Sequence, residues 1–321
     1  MTAPAIPAAH TAPRRAAPRV DRWSQVVEVW FRAHSTLVYL FLYLPILIVV
    51  LFSFNANRLA TIWTGFSTEW YSVALNDRTV QRALWNSFLI AVPNAVLATA
   101  FGTMAALGLQ RVGKRVRMGF DGLTYVSIIV PEVVIALSTL VLFASAFDVI
   151  NPALRDIQGG EPGGFKLSLG HATVIAAHVL FNTSLVLLLV RARLSTMDRT
   201  MVEASADLFA TPWRTFRQIT LPQLLPAIVA GFLLAFTFSF DDYVITSFVS
   251  GPGSSTLPLF VFGQVKRGVS PETNAVAAMM LLLTLTILIV GQALLARSAR
   301  RRGEGDAGTI VSAATSTETV T

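Results

Sequence analysis

Three groupings in this chain have residue types and spacings that could do chemistry. The stretch GLQRVGKR, Gly108 to Arg115, follows the phosphate-loop pattern G-x-x-x-x-G-K up to its last place. There Arg115 stands where a Ser or Thr would hold Mg²⁺, and the stretch follows an apolar helical run rather than a strand, so it reads as a basic helix end. His171 and His178 lie seven residues apart on one helical face, about 10 Å along the axis at 1.5 Å per residue, too far to share a metal ion. They read as packing or pore-lining groups. Asp241 and Asp242 hint at a membrane metal-diphosphate enzyme, but no second acid follows at Ile245 or Thr246 and no partner acidic motif occurs elsewhere. No catalytic residue and no metal site is therefore expected. The absence of Cys excludes disulfides and thiolate metal sites.

The elements that must position these residues are membrane helices. With 54% hydrophobic and 13% charged residues in 321, the chain has too little polar material to solvate an ordinary globule. Several apolar runs reach or exceed the roughly 18 residues that a spanning helix needs. The expectation is an all-α polytopic membrane protein with six spans, over 35–54, 83–109, 122–147, 169–190, 223–249 and 274–296. An even number of spans puts both termini on one side. That side holds 18 of the 25 Lys and Arg residues, so the positive-inside rule places both ends in the cytoplasm. This asymmetry accounts for the net charge of +7, and no nucleic-acid partner is implied. Residues 1–33, rich in Ala, Pro and Arg, and 298–321, rich in Gly, Thr, Ser and Ala, are expected to be disordered cytoplasmic extensions of a six-helix transmembrane domain at 34–297. The first apolar run is too long for a signal-peptide core and should remain as a span.

One cytoplasmic stretch matches neither lipid nor an ordinary loop. EASADLFATPWRTFRQITLP, Glu203 to Pro222, carries acids, arginines and two prolines, yet its apolar residues recur at helical intervals. Met201, Val202, Leu208 and Phe209, with Ser205 between them, share one face of a short helix. Thr211 supplies an N-cap and Pro212 a first helical residue for a second piece, with Trp213, Phe216 and Thr220 on one side, which Pro222 ends. Two such helices either lie in the lipid interface or dock into a soluble partner.

Glu203-Ala204-Ser205 followed by Ile219-x-Leu221-Pro222 resembles the EAA loop, E-A-A-x(3)-G-x(9)-I-x-L-P, of the permease subunits of binding-protein-dependent ABC importers. The resemblance implies the type I ABC importer permease fold, with 198–222 as the coupling loop that fits a cleft on an ATPase subunit. The family's glycine is Phe209 here. A side chain at that place argues for a continued helix, or for a bend displaced to Ala210 and Thr211. The stretches 53–71, 131–143, 236–253 and 257–275, which include SFDD and GVSPETNA, look like the second permease of the spermidine/putrescine branch. An assembly of two permeases, two ATPases and an extracytoplasmic binding protein is implied, with ATP and Mg²⁺ held by the ATPases, no cofactor in this chain and a location in the inner membrane. A permease for another solute, or a secondary transporter or channel, remains an alternative.

Acids inside spans are costly, about 2.5–3.5 kcal/mol at a helix centre, and usually face a cavity or a partner. Glu132 falls about eleven residues into the expected third span, near its middle; Asp241 and Asp242 fall in the outer half of the fifth. Asp242 shares a helix face with Ser239 and Thr246. Spaced carboxylates with an aromatic such as Trp63 near the mouth suit a flexible polycation, the other reading being a solvated helix end plus an acid paired with an unseen base.

Overall fold

The structure, a computed structural model, describes residues 22–58, 62–158, 164–198 and 200–316. Among the described residues it is helical without strands, and six helices are long and apolar enough to cross a membrane. Chain contacts separate residues 1–49 from residues 50–321. The described residues of the first unit belong to the helix α1, Arg22–Phe52, which is apolar along most of its length. It begins well before the expected boundary at residue 34; residues 1–21 of the expected N-terminal extension lie outside the described residues.

In the second unit three helices form the core: α3, Arg78–Gly108; α6, His171–Ser195; and α9, Leu221–Phe240. Asp77 starts α3 by accepting a hydrogen bond from the Thr79 N–H at 2.6 Å. The small residues Ala91, Ala95, Ala98, Gly102 and Ala106 face inward along α3, so its backbone comes close to α6. A Cβ at Gly102 would stand 2.8 Å from the Val186 side chain. Two buried amides bind the three helices further. Asn94 Nδ2 donates to the Ala235 carbonyl at 2.9 Å, and Asn182 Nδ2 donates to Asn94 Oδ1 at 3.2 Å.

Two expected spans are interrupted. The third consists of α4, Lys114–Ile129, and α5, Glu132–Ile157. Pro131 lacks an N–H and forces Val130 into an extended conformation, ψ 132°, so a single helix over 122–147 cannot form. Glu132 thus occupies the first turn of α5 rather than the middle of a helix. The fifth span stops at Phe240, and a short helix α10, Val244–Val249, follows the break. At the start of that span, Pro222 does not end the preceding helix. One turn, Phe216–Thr220, widens to the π form between α8, Pro212–Thr215, and α9, and the Leu221 N–H donates to the Phe216 carbonyl five residues back. The wider turn absorbs the donor that proline lacks. The last helix, α12, Pro271–Ser316, runs on beyond the expected irregular tail at 298. Its Ala and Arg residues are good helix formers, and residues 317–321 lie outside the description.

One end of the second unit is sealed by the loop after α10. Asn86 Nδ2 donates to the Gly253 and Ser255 carbonyls, both at 2.9 Å, and its Oδ1 meets His171 Nε2 at 2.9 Å. Thr173 Oγ1 donates to the Val249 carbonyl at 2.7 Å. Of the two expected readings, packing or pore-lining, the contact with Asn86 makes His171 a packing group. The opposite, basic end is tied by Arg191 of α6, which hydrogen-bonds Asp121 of α4.

A Cβ at Gly251 would overlap the Leu169 carbonyl oxygen, whereas one at Gly263 of α11, Leu257–Arg267, meets nothing. Gly251→Ala is expected to cost about 1–3 kcal/mol by overpacking and Gly263→Ala to cost nothing. Melting of the detergent-solubilised protein, followed by size exclusion, checks both.

Candidate functional site

The break between α9 and α10 gathers four buried polar side chains, His178, Ser239, Asp242 and Thr246. Asp242, leaving the helix, turns its carboxylate back on the start of α10, where it accepts from Ile245 N–H at 3.2 Å, Thr246 N–H at 2.8 Å and Thr246 Oγ1 at 2.8 Å. This is N-capping, and it explains why the fifth span cannot continue: the side chain competes for the amides that a helix would use. His178 of α6 completes the group, with Nε2 at 3.0 Å from Asp242 Oδ2 and Nδ1 at 2.7 Å from Ser239 Oγ. All four side chains are buried. A Ser–His–Asp order of contacts exists here, and it joins α6, α9 and α10.

Glu132 is brought to the same place. Its carboxyl group neighbours that of Asp242, because the break at Pro131 starts α5 beside α10. Glu132 is half-buried and Asp242 buried, so two acids lie close together at the break. Asp241 points elsewhere: Thr284 Oγ1 of α12 donates to its Oδ1 at 3.2 Å, and it lines a separate cavity with Tyr243 and Phe262. The expected continuous arc of Ser239, Asp242 and Thr246 on one helix is therefore replaced by a cluster across a helix break, with Asp241 on another side. Trp63 is not part of either. It sits half-exposed in the loop after α1, edge-on to Phe52 at 6.1 Å between ring centroids. That loop is organised by Asn55, whose side chain donates to the Ile62 carbonyl at 2.7 Å and accepts from Thr64 N–H at 3.1 Å. Sequence reasoning left His178 and Tyr243 outside the site. The signal for His178 was its own cost: a polar ring in an apolar span needs a buried partner.

At the basic end, the expected loop helix α7, Thr200–Asp207, forms, but its face differs from the pattern. Ser205 is buried, its Oγ 2.9 Å from Thr215 Oγ1, and so ties α7 to α8 instead of lying on an outer face. Met201, Glu203 and Ala204 are exposed on α7; Ile219, Leu221 and Pro222 are half-buried where the chain enters α9. Leu208 and Phe209 lie beyond the helix end, 82% and 95% exposed. The bend is neither removed nor displaced to Ala210 and Thr211. Phe209 itself adopts the left-handed conformation, φ 58°, with Ala210 N–H donating to Ser205 O at 3.0 Å and Phe209 N–H to Ala206 O at 2.9 Å. These are the two hydrogen bonds of a Schellman cap, in which glycine usually occupies the residue that Phe209 fills. The non-glycine residue costs about 1–2 kcal/mol there, and it leaves an aromatic ring projecting at the turn. Behind the turn, a cavity of about 850 Å³ opens among Leu107, Arg111, Leu194, Glu203 and Trp213.

Residues 98–304 match the family described as binding-protein-dependent transport system inner membrane component. The chain is 41% identical over 263 residues to the putrescine transport system permease protein PotI of Escherichia coli K12, covering 82% of this chain and 89% of that one. It is 38% identical over 271 residues to the spermidine/putrescine transport system permease protein PotC of the same organism, covering 84% and 95%. Among solved structures, a bacterial ABC transporter involved in import of the acidic polysaccharide alginate superposes with TM-score 0.66 at 15% identity, over 86% of this chain and 98% of that one. The MetNI methionine ABC transporter in an inward-facing conformation gives 0.53 at 16% identity, over 67% and 94%. At these identities the structural matches speak for the fold.

Because His178 and Asp242 satisfy each other, Asp242→Asn and His178→Leu are each expected to lower the melting midpoint, and together to cost less than their sum. A double-mutant cycle on the purified protein is expected to return a coupling of about 1 kcal/mol or more.

Proposed function

Since the chain belongs to the family of binding-protein-dependent transport system inner membrane components, a multi-pass permease of the ABC importer type, we propose that it carries polyamines, putrescine or spermidine, into the cell. The observation that carries the reading is the 38–41% identity to polyamine permeases over more than four-fifths of the chain. The chemistry of the helix breaks supports it: Glu132, Asp241 and Asp242 place carboxyl groups where acids are costly, and a polycation is the cargo that rewards them. In this reading Glu132 and Asp241 attract the cation along its path. Asp242, held by His178 and Thr246, fixes the break that positions them, with Ser239 supporting the imidazole. Trp63 offers an aromatic face at the outer mouth.

The energy enters from elsewhere. A second permease completes the path, an extracytoplasmic solute-binding protein delivers the polyamine, and two ATPase subunits bind ATP and Mg²⁺. The basic end of the bundle and both termini face the cytoplasm by the positive-inside rule. There the exposed Met201, Glu203, Leu208 and Phe209 seat in a cleft of the ATPase. Ser205, buried against Thr215, makes α7 and α8 move as a unit, so that closure of the ATPases is passed directly into α9 through the half-buried Ile219, Leu221 and Pro222. Alternating access then follows as rigid-body movement of the spans.

Two experiments test this. In proteoliposomes holding the whole importer, uptake of labelled putrescine should require ATP and the binding protein, and Asp241→Asn or Glu132→Gln should lower it about tenfold with assembly intact; full uptake in the double variant removes the role of these acids. The chain has no native Cys, so Leu208→Cys and Thr211→Cys, both at exposed positions, should crosslink to the ATPase without background. Failure of both to crosslink would sink the coupling role, and Phe209→Asp is expected to uncouple ATP hydrolysis from uptake.

A further inference from the structure

The break after α9 opens onto a second cavity, of about 440 Å³, between the break, α11 and α12. Its walls are apolar, Val261, Met280 and Leu281 among them, with the carboxylate of Asp241 set into them. Tyr243 lies against Phe262, ring centroids 4.0 Å apart. On Phe262 there is already a cation: Lys266 Nζ, one turn further along α11, stands 5.0 Å from the ring centroid. Phe262 thus shares a cavity with one acid and a hydrocarbon wall while its ring carries the ammonium of a lysine.

We propose that this cavity is a subsite for one primary-ammonium end of the polyamine, and that Lys266 is a tethered competitor which occupies the Phe262 face when substrate is absent. The inference rests on the polyamine reading above and adds the residues that select the alkylammonium end. A lysine side chain and a polyamine end are the same chemical object, an –NH₃⁺ on a chain of methylenes. A surface that accepts one accepts the other by the same interactions. The ring quadrupole of Phe262, backed by Tyr243, attracts the ammonium; Asp241 supplies the countercharge; the methylenes replace water against Val261 and Met280. Because Lys266 carries the same charge, substrate must displace it, and its return speeds release. A transport subsite requires that combination, since a site that holds its cargo tightly does not pass it on. Asp242 cannot serve in this place, being enclosed by His178 and Thr246.

The test uses the complete importer in proteoliposomes with labelled putrescine. Lys266→Met, which keeps the methylene stem and removes the charge, is expected to lower the half-saturating concentration about threefold; Phe262→Leu is expected to raise it several-fold and to abolish the gain when the two are combined. Independently, Tyr243→Cys in this Cys-free chain should react with a methanethiosulfonate reagent more slowly in the presence of putrescine, and at an unchanged rate with the uncharged 1,4-butanediol. An unchanged half-saturation in Lys266→Met, or labelling of Tyr243→Cys that putrescine does not slow, overturns the subsite while leaving polyamine transport in place. Absence of putrescine uptake by the unaltered importer instead overturns the polyamine reading itself.

Discussion

In hydrocarbon no water is available to satisfy a freed backbone amide or carbonyl, so a spanning helix is interrupted only where protein groups take over its hydrogen bonds. The architecture of this chain follows from how three interruptions are repaired. At Pro131 the chain restarts as α5. At Pro222 a single wide turn restores the ladder five residues back. After Phe240 the carboxylate of Asp242 takes up two amides of α10 and is itself held by His178. The last repair is the most demanding, because it sets an acid inside the bundle and must pair it there; breaking such a buried pair leaves an uncompensated charge.

These repairs bring polar groups together that a continuous helix would have kept apart. A straight fifth span would have aligned Ser239, Asp242 and Thr246 along one face. The break instead folds Thr246 back onto Asp242, directs Asp241 toward Thr284 and Tyr243 onto Phe262, and admits Glu132 beside Asp242. Two chemically different environments arise from adjacent residues: a closed cluster joined to His178, and an apolar cavity with one carboxylate. The bundle can afford such irregularity because the α3 stripe of small residues lets α6 pack at close range and hold the frame.

The basic end obeys the opposite logic. There the helices emerge among arginines, and the turn after α7 is exposed rather than enclosed. The left-handed Phe209 shows that the bend is imposed by the hydrogen-bonded cap and not by the residue in it. Strain of this order persists only where the surrounding structure fixes the backbone, here through the Ser205–Thr215 contact between α7 and α8. The same contact ties α7 to α8, which leads through the wide turn into α9.

Apolar run length was enough for six helices that can cross a membrane, and the Glu203 to Pro222 pattern for the short helices α7 and α8, since these depend on composition and spacing that survive any packing. The acids were legible as anomalies because a charge in a span has to be explained whatever surrounds it. What each acid does was not legible. Whether Asp242 continues a helix or caps the next one is decided by His178, sixty-four residues earlier and adjacent only once α6 has packed against α9. Whether Phe209 bends the chain was settled by two local backbone hydrogen bonds of the cap, to Ala206 and Ser205, held in place by the Ser205–Thr215 contact, which outweigh its own conformational preference. Periodicity assumes an unbroken element, and only tertiary contacts, which repay the backbone bonds lost at a break, determine where an element stops.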